Sequence, residues 1–304
     1  MAEPTATNFY QLLDSGQFMR LEQAGPFRIA RPAAAAAWAP TLPAEEWRNV
    51  DFTFHRTEQR SAQARGEWIC HTKRAKAALN DSWPIQFDDI RLLIKFTSFG
   101  HIGLFAEQEK NWREIRRIIS TQKSRKPEEP IRVLNLFAYT GAATLFAALA
   151  GAEVVHLDAS KGTVKWAREN AEASQLTGHP IRWIVDDAHE FVKKEIRRGN
   201  RYHGILLDPP TYGRGTDGQV WKIEEHLLPL LKDTVSLLED RFLFFLLSSH
   251  SPGYTPVALT NILQQTLGER GEGRYNAAEM VITDSTNKML PSGADCLFAA
   301  PFAL

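Results

Sequence analysis

The chain has 304 residues, 43% of them hydrophobic, with 36 Lys and Arg set against 36 Asp and Glu. That length holds one large domain or two smaller ones with a sizeable core, and the balanced charge excludes a blanket affinity for polyanions. Two cysteines exclude a disulfide framework, no window approaches the ~20 apolar residues of a membrane span, and no secretory leader is visible, so a soluble cytoplasmic protein is expected.

In chain order, Met1 to about Asn49 reads as a compact β-rich lead-in. Strands are expected over Phe9 to Leu13, Phe18 to Leu21 and Phe27 to Ala30, with turns at Asp14-Ser15-Gly16 and Gly25-Pro26. Ala33 to Ala37 with Pro40 and Pro43 reads as a connection. Asp51 to Arg56, Glu67 to Thr72, Ile85 to Phe87 and Arg91 to Thr97 continue the strand pattern. Residues 1–100 thus form an N-terminal β-rich accessory region, and 101–304 a second domain.

Charge is unevenly spread. From Asp51 to Lys126 there are 15 Lys and Arg against 9 Asp and Glu, a net of +6. Arg113, Arg116, Arg117, Lys123, Arg125 and Lys126 form one group; Arg56, Arg60, Arg65, Lys73, Arg74 and Lys76 form another. Such stripes contact phosphates or simply cover a solvated helix face, and Glu109 with Arg113 at i,i+4 suits the second reading. The stretch GHIGLFAEQEKNW, Gly100 to Trp112, joins the two parts. It puts Glu107 and Gln108 just before a helix predicted over Glu109 to Thr121, where they either face a ligand or cap the helix.

Val133 to Ser160 reads as strand, small-residue loop, apolar helix and second strand ending in Asp158. Ala142 to Ala150 is an Ala/Leu/Phe run that favours helix, and Gly151 stops it. An acid at the carboxyl end of the second strand is where a ribose binds in such sheets. The loop Phe137-Ala138-Tyr139-Thr140-Gly141-Ala142 has one glycine, so the G-x-G-x-x-G cradle of a dinucleotide is missing. With Thr140 beside that glycine and Asn135 upstream, the loop suits S-adenosylmethionine, whose ammonium and carboxylate need hydrogen bonds.

Past Asp158 the elements alternate as in a doubly wound domain: helix Gly162 to Ser174, strand Ile181 to Val185, helix Ala188 to Arg198, strand Tyr202 to Leu207. Phe242 to Leu247 is a fifth strand, apolar throughout and so buried on both faces. Pro256 to Gly268 is the following helix, and Met280 to Thr283 and Cys296 to Phe302 supply two more strands. The fold class is α/β, a Rossmann-like sheet of seven strands. Asp187 both N-caps a helix and stands where an adenine is bound. Asp208-Pro209-Pro210-Thr211-Tyr212 ends the fourth strand. Its prolines remove two N–H donors, leaving carbonyl oxygens and the Asp208 carboxylate as acceptors beside an aromatic face. A planar base with an exocyclic amine fits, with Tyr212 stacking on it.

NLFAYTG, HLDAS, WARENAE, DDAHEF and DPPTY, preceded by HIGLFAEQEKNW, resemble the bacterial class I S-adenosylmethionine-dependent methyltransferases of the 23S ribosomal RNA type, over roughly Trp68 to Pro256. That group includes cytosine-C5 enzymes and a guanine-N7 domain, and DPPTY looks most like the latter. The resemblance implies cofactor contacts at Phe137, Tyr139, Gly141, Asp158, Ser160, Asp187 and Asp208, with Gln108 and Asn111 covering the cofactor. Asn135 and Thr140 join them from the reading of the loop, and Asp208, Pro209, Pro210 and Tyr212 are the candidate catalytic residues. No metal site is expected.

One departure matters. Cytosine-C5 transfer needs a thiolate, and where the cytosine enzymes keep it, just after the fifth strand, this chain reads Leu247-Ser248-Ser249-His250. Transfer to a base nitrogen needs no covalent catalyst, only alignment. His250 could accept a proton there or be a structural residue. The expected function is therefore methylation of a base nitrogen in RNA, with ribosomal RNA the expected substrate; a protein or small-molecule substrate, or a silent RNA-binding relative, are the alternatives. Oligomeric state is not legible.

Overall fold

The computed structural model describes residues 8–57, 65–215 and 218–303. Arg60 of the second basic group, and the first seven residues of the lead-in, lie outside the described residues. The chain divides into two compact units, one of residues 1–107 and 281–292, the other of 108–280 and 293–304.

The first unit carries a five-stranded sheet in the order β1-β2-β3-β4-β5. Its strands are β1 (Tyr10–Gly16), β2 (Met19–Ala24), β3 (Phe27–Pro32), β4 (Phe52–Arg56) and β5 (Gly66–Cys70), with α1 (Ala44–Arg48) in the connection and α2 (Lys73–Ala78) after β5. A separate ribbon pairs β6 (Trp83–Phe87) with β7 (Ile90–Ile94). Aromatic rings fill the space: Phe27 meets Phe52 at 5.3 Å and Trp83 at 4.8 Å, and Trp68 stacks on Phe96 at 4.0 Å. The buried Arg31 pairs with Glu22, which also accepts from Tyr10. Burial alone would raise the Glu22 carboxyl, but Arg20 and Arg31 hold it at about 2.

Asp14-Ser15-Gly16 is not a turn but the end of β1. The reversal is made by Gln17 and Phe18, both left-handed at φ 49° and 62°, the geometry of a primed two-residue hairpin. Their N–H groups donate to the carbonyls of Trp38 and Ala36, which holds two residues in a conformation they rarely choose. Asp14 is occupied elsewhere, accepting from the backbone of Ser15, Thr41 and Leu42 and from Trp47 Nε1. The short helices α1 and α2 also went unforeseen; one turn or so gives no periodicity to read.

The second unit opens with α3 (Glu109–Arg125), which buries Asn111, Trp112, Ile115, Ile118 and Ile119, one stripe at helical spacing. The doubly wound part follows: β8 (Arg132–Leu136), α4 (Ala142–Leu149), β9 (Glu153–Asp158), α5 (Lys161–Ala173), β10 (Ile181–Val185), α6 (Ala188–Arg198) and β11 (Gly204–Leu207). A hairpin of β12 (Tyr212–Arg214) and β13 (Val220–Lys222) leads into α7 (Ile223–Val235). Then come β14 (Phe244–Ser249), α8 (Pro256–Leu267), β15 (Arg274–Thr283) and β16 (Met289–Ala299), the end of β15 and the start of β16 falling within the 281–292 segment of the first unit. The seven-stranded sheet runs β10-β9-β8-β11-β14-β16-β15, with β16 antiparallel to β14. This is the α/β Rossmann-like arrangement with a reversed closing strand, preceded in the chain by an N-terminal β-rich region. The expected fifth strand is shifted: it takes in Ser248 and Ser249, which are its last two residues and not a loop after it.

Caps make the helix starts legible. Ser160, Asp187 and Thr255 each accept a backbone N–H in the first turn of α5, α6 and α8. Among the described residues no helix is long and apolar enough to cross a membrane.

Candidate active site

Parallel register brings the key residues to one edge. Leu136 pairs with Leu157 on one side and with Leu207 on the other, so Phe137 continues β8 between Asp158 and the Asp208 that follows β11. Neighbouring strands lie about 4.8 Å apart, so the two acids stand roughly 10 Å apart across the crevice. Ligands of open α/β sheets bind at this place, where the strand order reverses.

The loop after β8 is unusual in its backbone. Phe137, Tyr139 and Gly141 have φ of 55°, 49° and 88°, and two of them are not glycine. Each such residue costs of order 1–3 kcal/mol unless its surroundings hold it. They do: Ala138 N–H donates to the Leu157 carbonyl, Tyr139 N–H to Asp158 Oδ2 at 3.0 Å, and Asn170 Nδ2 to the Thr140 carbonyl at 2.8 Å. Gly141 is needed twice over, for its φ and because a Cβ there would sit 3.1 Å from that of Ala167.

Asp158 fixes this loop while facing the crevice. Its Oδ1 accepts from Ser160 N–H at 2.9 Å, and Oδ2 from Tyr139 N–H. Each carboxylate oxygen retains a second lone pair for a ligand hydroxyl. Burial raises its carboxyl, and the two amides act against that. Ser160 spends its hydroxyl on Thr163 N–H at the start of α5. Asn135 is buried behind the loop, donating to Thr144 Oγ1 at 2.9 Å, and Thr144 in turn meets His156 Nδ1 at 2.9 Å. Burial, then the Arg168 charge, lowers His156 to about 3, so it stays neutral.

After β10, Asp187 Oδ1 caps α6 by accepting from His189 and Glu190 N–H. Its own N–H donates to Asp186 Oδ1, and Asp186 Oδ2 takes Lys194 Nζ. The Asp187 main-chain donor is therefore engaged within the protein. Its Oδ2 borders Gly215, where a Cβ would lie 2.9 Å from it.

Asp208 is the most elaborated position. Gln108 Nε2 donates to Asp208 Oδ2 at 3.1 Å and to Ser248 Oγ at 3.0 Å. Asn111 Nδ2 donates to Gln108 Oε1 at 2.8 Å and to Asp295 Oδ2 at 3.2 Å. His250 Nδ1 is 3.5 Å from Asp208 Oδ1. Burial would raise the Asp208 carboxyl, but the His250 charge and the hydrogen bonds around it hold it below its ordinary value. Asp208 is thus an ionised acceptor with its donors already oriented.

The Asp-Pro-Pro-Thr-Tyr segment leads into the β12–β13 hairpin. One expected acceptor is taken: the Pro210 carbonyl accepts from Trp221 Nε1 at 2.6 Å, so it is not available to a base edge. Trp221 also packs on Phe137 at 4.9 Å. Tyr212 is 37% exposed, and Thr211 Oγ1 meets Ser251 Oγ at 2.7 Å. The cysteines are placed elsewhere. Cys296 is buried in β16 beside Thr260, with burial raising its thiol, and Cys70 belongs to the first unit. Trp221, Ser248, Asp295 and His156 were not anticipated as site or support residues. Asp295 and His156 had a signal, a lone polar group in an apolar strand; Trp221 and Ser248 had none.

A crevice built this way, one acid for a ribose beside a one-glycine loop and a second acid before two prolines, defines an S-adenosylmethionine site. The family model of S-adenosylmethionine-dependent methyltransferases matches residues 29–228, and the chain belongs to that family. A crystal structure of the S-adenosylmethionine-dependent methyltransferase from Agrobacterium tumefaciens is 34% identical, superposes with a TM-score of 0.86, and is matched over 98% of this chain and 92% of that one. Ribosomal RNA large subunit methyltransferase K/L of Pseudoalteromonas atlantica is 32% identical over 161 residues, 52% of this chain and 20% of the relative. Ribosomal RNA large subunit methyltransferase I of Salmonella arizonae is 28% identical over 130 residues, 42% of this chain and 30% of the relative. The chain thus matches a third or less of the length of these curated relatives. It is a methyltransferase whose cofactor is S-adenosylmethionine.

Proposed function

We propose that this enzyme methylates a nitrogen of an RNA base, in ribosomal RNA, in the cytoplasm. The observation that carries the nitrogen assignment is the end of β14: Ser248 and Ser249 are buried, Ser248 is hydrogen-bonded to Gln108, and no thiol stands there. Without a thiolate the carbon C5 route lacks its nucleophile. A ring nitrogen or amine needs only an acceptor for its proton or edge and alignment with the sulfonium, and alignment alone supplies roughly 7–11 kcal/mol.

In this reading, Asp158 binds the ribose hydroxyls, Phe137, Tyr139, Thr140 and Gly141 wrap the amino-acid end, and Asp187 accepts from the adenine amine through Oδ2. Asn135 and Ser160 support that loop from behind. Asp208 receives the target amine, Pro209 and Pro210 fix its backbone, and Tyr212 stacks on the base. Gln108 orients Asp208, with Asn111 one hydrogen bond further out. His250 stands beside Asp208, where its charge helps keep that carboxyl ionised. When bound, the cofactor supplies an activated methyl on its sulfonium. The substrate class rests on the two large-subunit RNA methyltransferases among the relatives. Incubation with labelled S-adenosylmethionine and either unmodified ribosomal RNA or a protein extract tests it: label in RNA as an N-methyl base is expected, and label in protein alone refutes it.

A further inference from the structure

A groove of about 630 Å³ lies between α3 and the strands β15 and β16. We infer that this groove binds one nucleotide of the RNA strand next to the target base, with Arg117 and Arg274 on its phosphate. The inference rests on the RNA reading above and adds to it a site outside the cofactor crevice.

Position comes first. The inner end of the groove is formed by Asn111 and Asp295, the outer half of the hydrogen-bonded chain that reaches Asp208 through Gln108. From Asn111 to Arg117 is six residues of helix, about 9 Å at 1.5 Å per residue. The groove therefore begins beside the proposed acceptor of the target base and leads away along α3. Its volume lies within the roughly 300–1,000 Å³ of sites that enclose small molecules.

Chemistry then selects the ligand. Arg113, Arg117 and Arg274 line the groove, and the planar guanidinium fork suits phosphate. Arg113 and Arg117 are held by Glu109 at 2.7 Å and Glu114 at 2.8 Å. Arg117 engages Glu114 bidentately through Nε and Nη2, and because a guanidinium has five N–H donors each arginine keeps further donors for a phosphate. Asn276 and Asp295 add amide and carboxylate groups to the same walls, suited to 2′-hydroxyls and base edges. The arginines offer donors to a phosphate, and the carboxylates of Glu109, Glu114 and Asp295 offer acceptors to the hydroxyl and amine groups of the same nucleotide. Of the basic group on α3, Arg113 and Arg117 line the groove, and Arg274 joins them from β15.

The test is the double variant Arg117→Gln/Arg274→Gln in the full chain, with Lys165→Gln, an exposed cation of α5, as a control for the change in charge. Ribosomal RNA transcript is the probe; methyl transfer, cofactor affinity and melting temperature are read together. The KM for RNA should rise about tenfold or more, with kcat and cofactor affinity held. The slope of log affinity against log salt should become shallower by about 0.7 for each phosphate no longer neutralised, while Lys165→Gln behaves as the parent. RNA methylated by the folded double variant with unchanged KM and salt slope overturns the groove assignment but leaves the substrate class standing. Transfer to protein and not to RNA overturns both.

Discussion

Replacing Asp158 with alanine removes an acceptor for Tyr139 N–H and one for Ser160 N–H, together with the acceptor proposed for the ribose. A hydrogen bond to a charged group contributes about 1.5–3 kcal/mol, so removing the ribose hydrogen bond alone should weaken S-adenosylmethionine about 10- to 150-fold. Freeing Tyr139 from its anchor loosens a loop that contains two left-handed non-glycine residues, which pushes the effect toward the upper figure. The part-buried Tyr139 N–H, left without its acceptor, should also lower stability by about 1–3 kcal/mol, less whatever is gained by no longer burying a carboxylate. Asp158→Asn separates the two effects, since its single oxygen can serve only one of the two amides. The sign with pH follows from burial. The folded-state carboxyl is raised above its ordinary 3.8, so the folded protein holds this proton more readily than the unfolded chain. Asp158 thus costs stability above its folded pKa, and the cost is relieved as pH falls through it, while cofactor affinity is lost over the same range as the acceptor is protonated. Titration calorimetry beside thermal melts reads both. Asp158→Ala binding the cofactor as tightly as the parent, in a folded protein, would refute the ribose assignment.

His156 behaves oppositely. Its folded pKa of about 3 lies below the ordinary 6.5, so stability present above pH 6.5 should be lost as pH falls toward 3, by about 1.4 kcal/mol per unit; unfolding free energies from urea titrations at pH 7 and 5 should differ by about 2 kcal/mol, and His156→Leu should narrow that gap. Cys70→Ser combined with Cys296→Ser should leave methyl transfer largely intact, and a folded double variant without turnover in a transfer assay would point to a covalent route. Tyr212→Ala should leave cofactor affinity unchanged and lower kcat/KM by the ~1–3 kcal/mol of a base stack, about 5- to 150-fold, with Tyr212→Phe close to the parent in steady-state assays. Asp208→Asn should depress kcat more than KM, because its interaction is realised mainly in the transition state; equal activity in the Asn variant would remove Asp208 from the chemistry.

Legibility in the sequence followed the range of the interaction. The parallel strands were recoverable because a short apolar run such as FLFFLL suits a strand buried on both faces, and a helix start such as Ser160 or Asp187 carries its own cap; the last two strands, expected over Met280 to Thr283 and Cys296 to Phe302, run over Arg274–Thr283 and Met289–Ala299. The hairpin at Gln17 and Phe18 was not recoverable, because its stability comes from carbonyls of Trp38 and Ala36 some twenty residues on. The same holds for the end of β1, where Asp14 resembles a turn residue until Thr41, Leu42 and Trp47 are brought to it. At the site, Asp158 and Asp208 declared themselves by position after a strand. The Pro210 carbonyl did not reveal that Trp221 would occupy it, eleven residues later and across a hairpin.

The amides around Asp208 show why so many polar groups are buried at one strand end. Gln108 and Asn111 could each be turned either way, and a wrong turn would aim an oxygen at the Asp208 carboxylate. Asn111 Nδ2 gives its hydrogens to Gln108 Oε1 and Asp295 Oδ2; that leaves Gln108 Nε2 facing Asp208 and Ser248. Asp295 accepts from Asn111 either as a carboxylate or through the carbonyl oxygen of a neutral carboxyl, so the orientation of the chain holds although burial raises its carboxyl. With acceptors at both ends and all four amide hydrogens assigned, only one arrangement satisfies every partner. In the proposed mechanism Asp208 therefore meets the target base with one oxygen already held by a donor, and it need not reorganise that contact when the methyl moves.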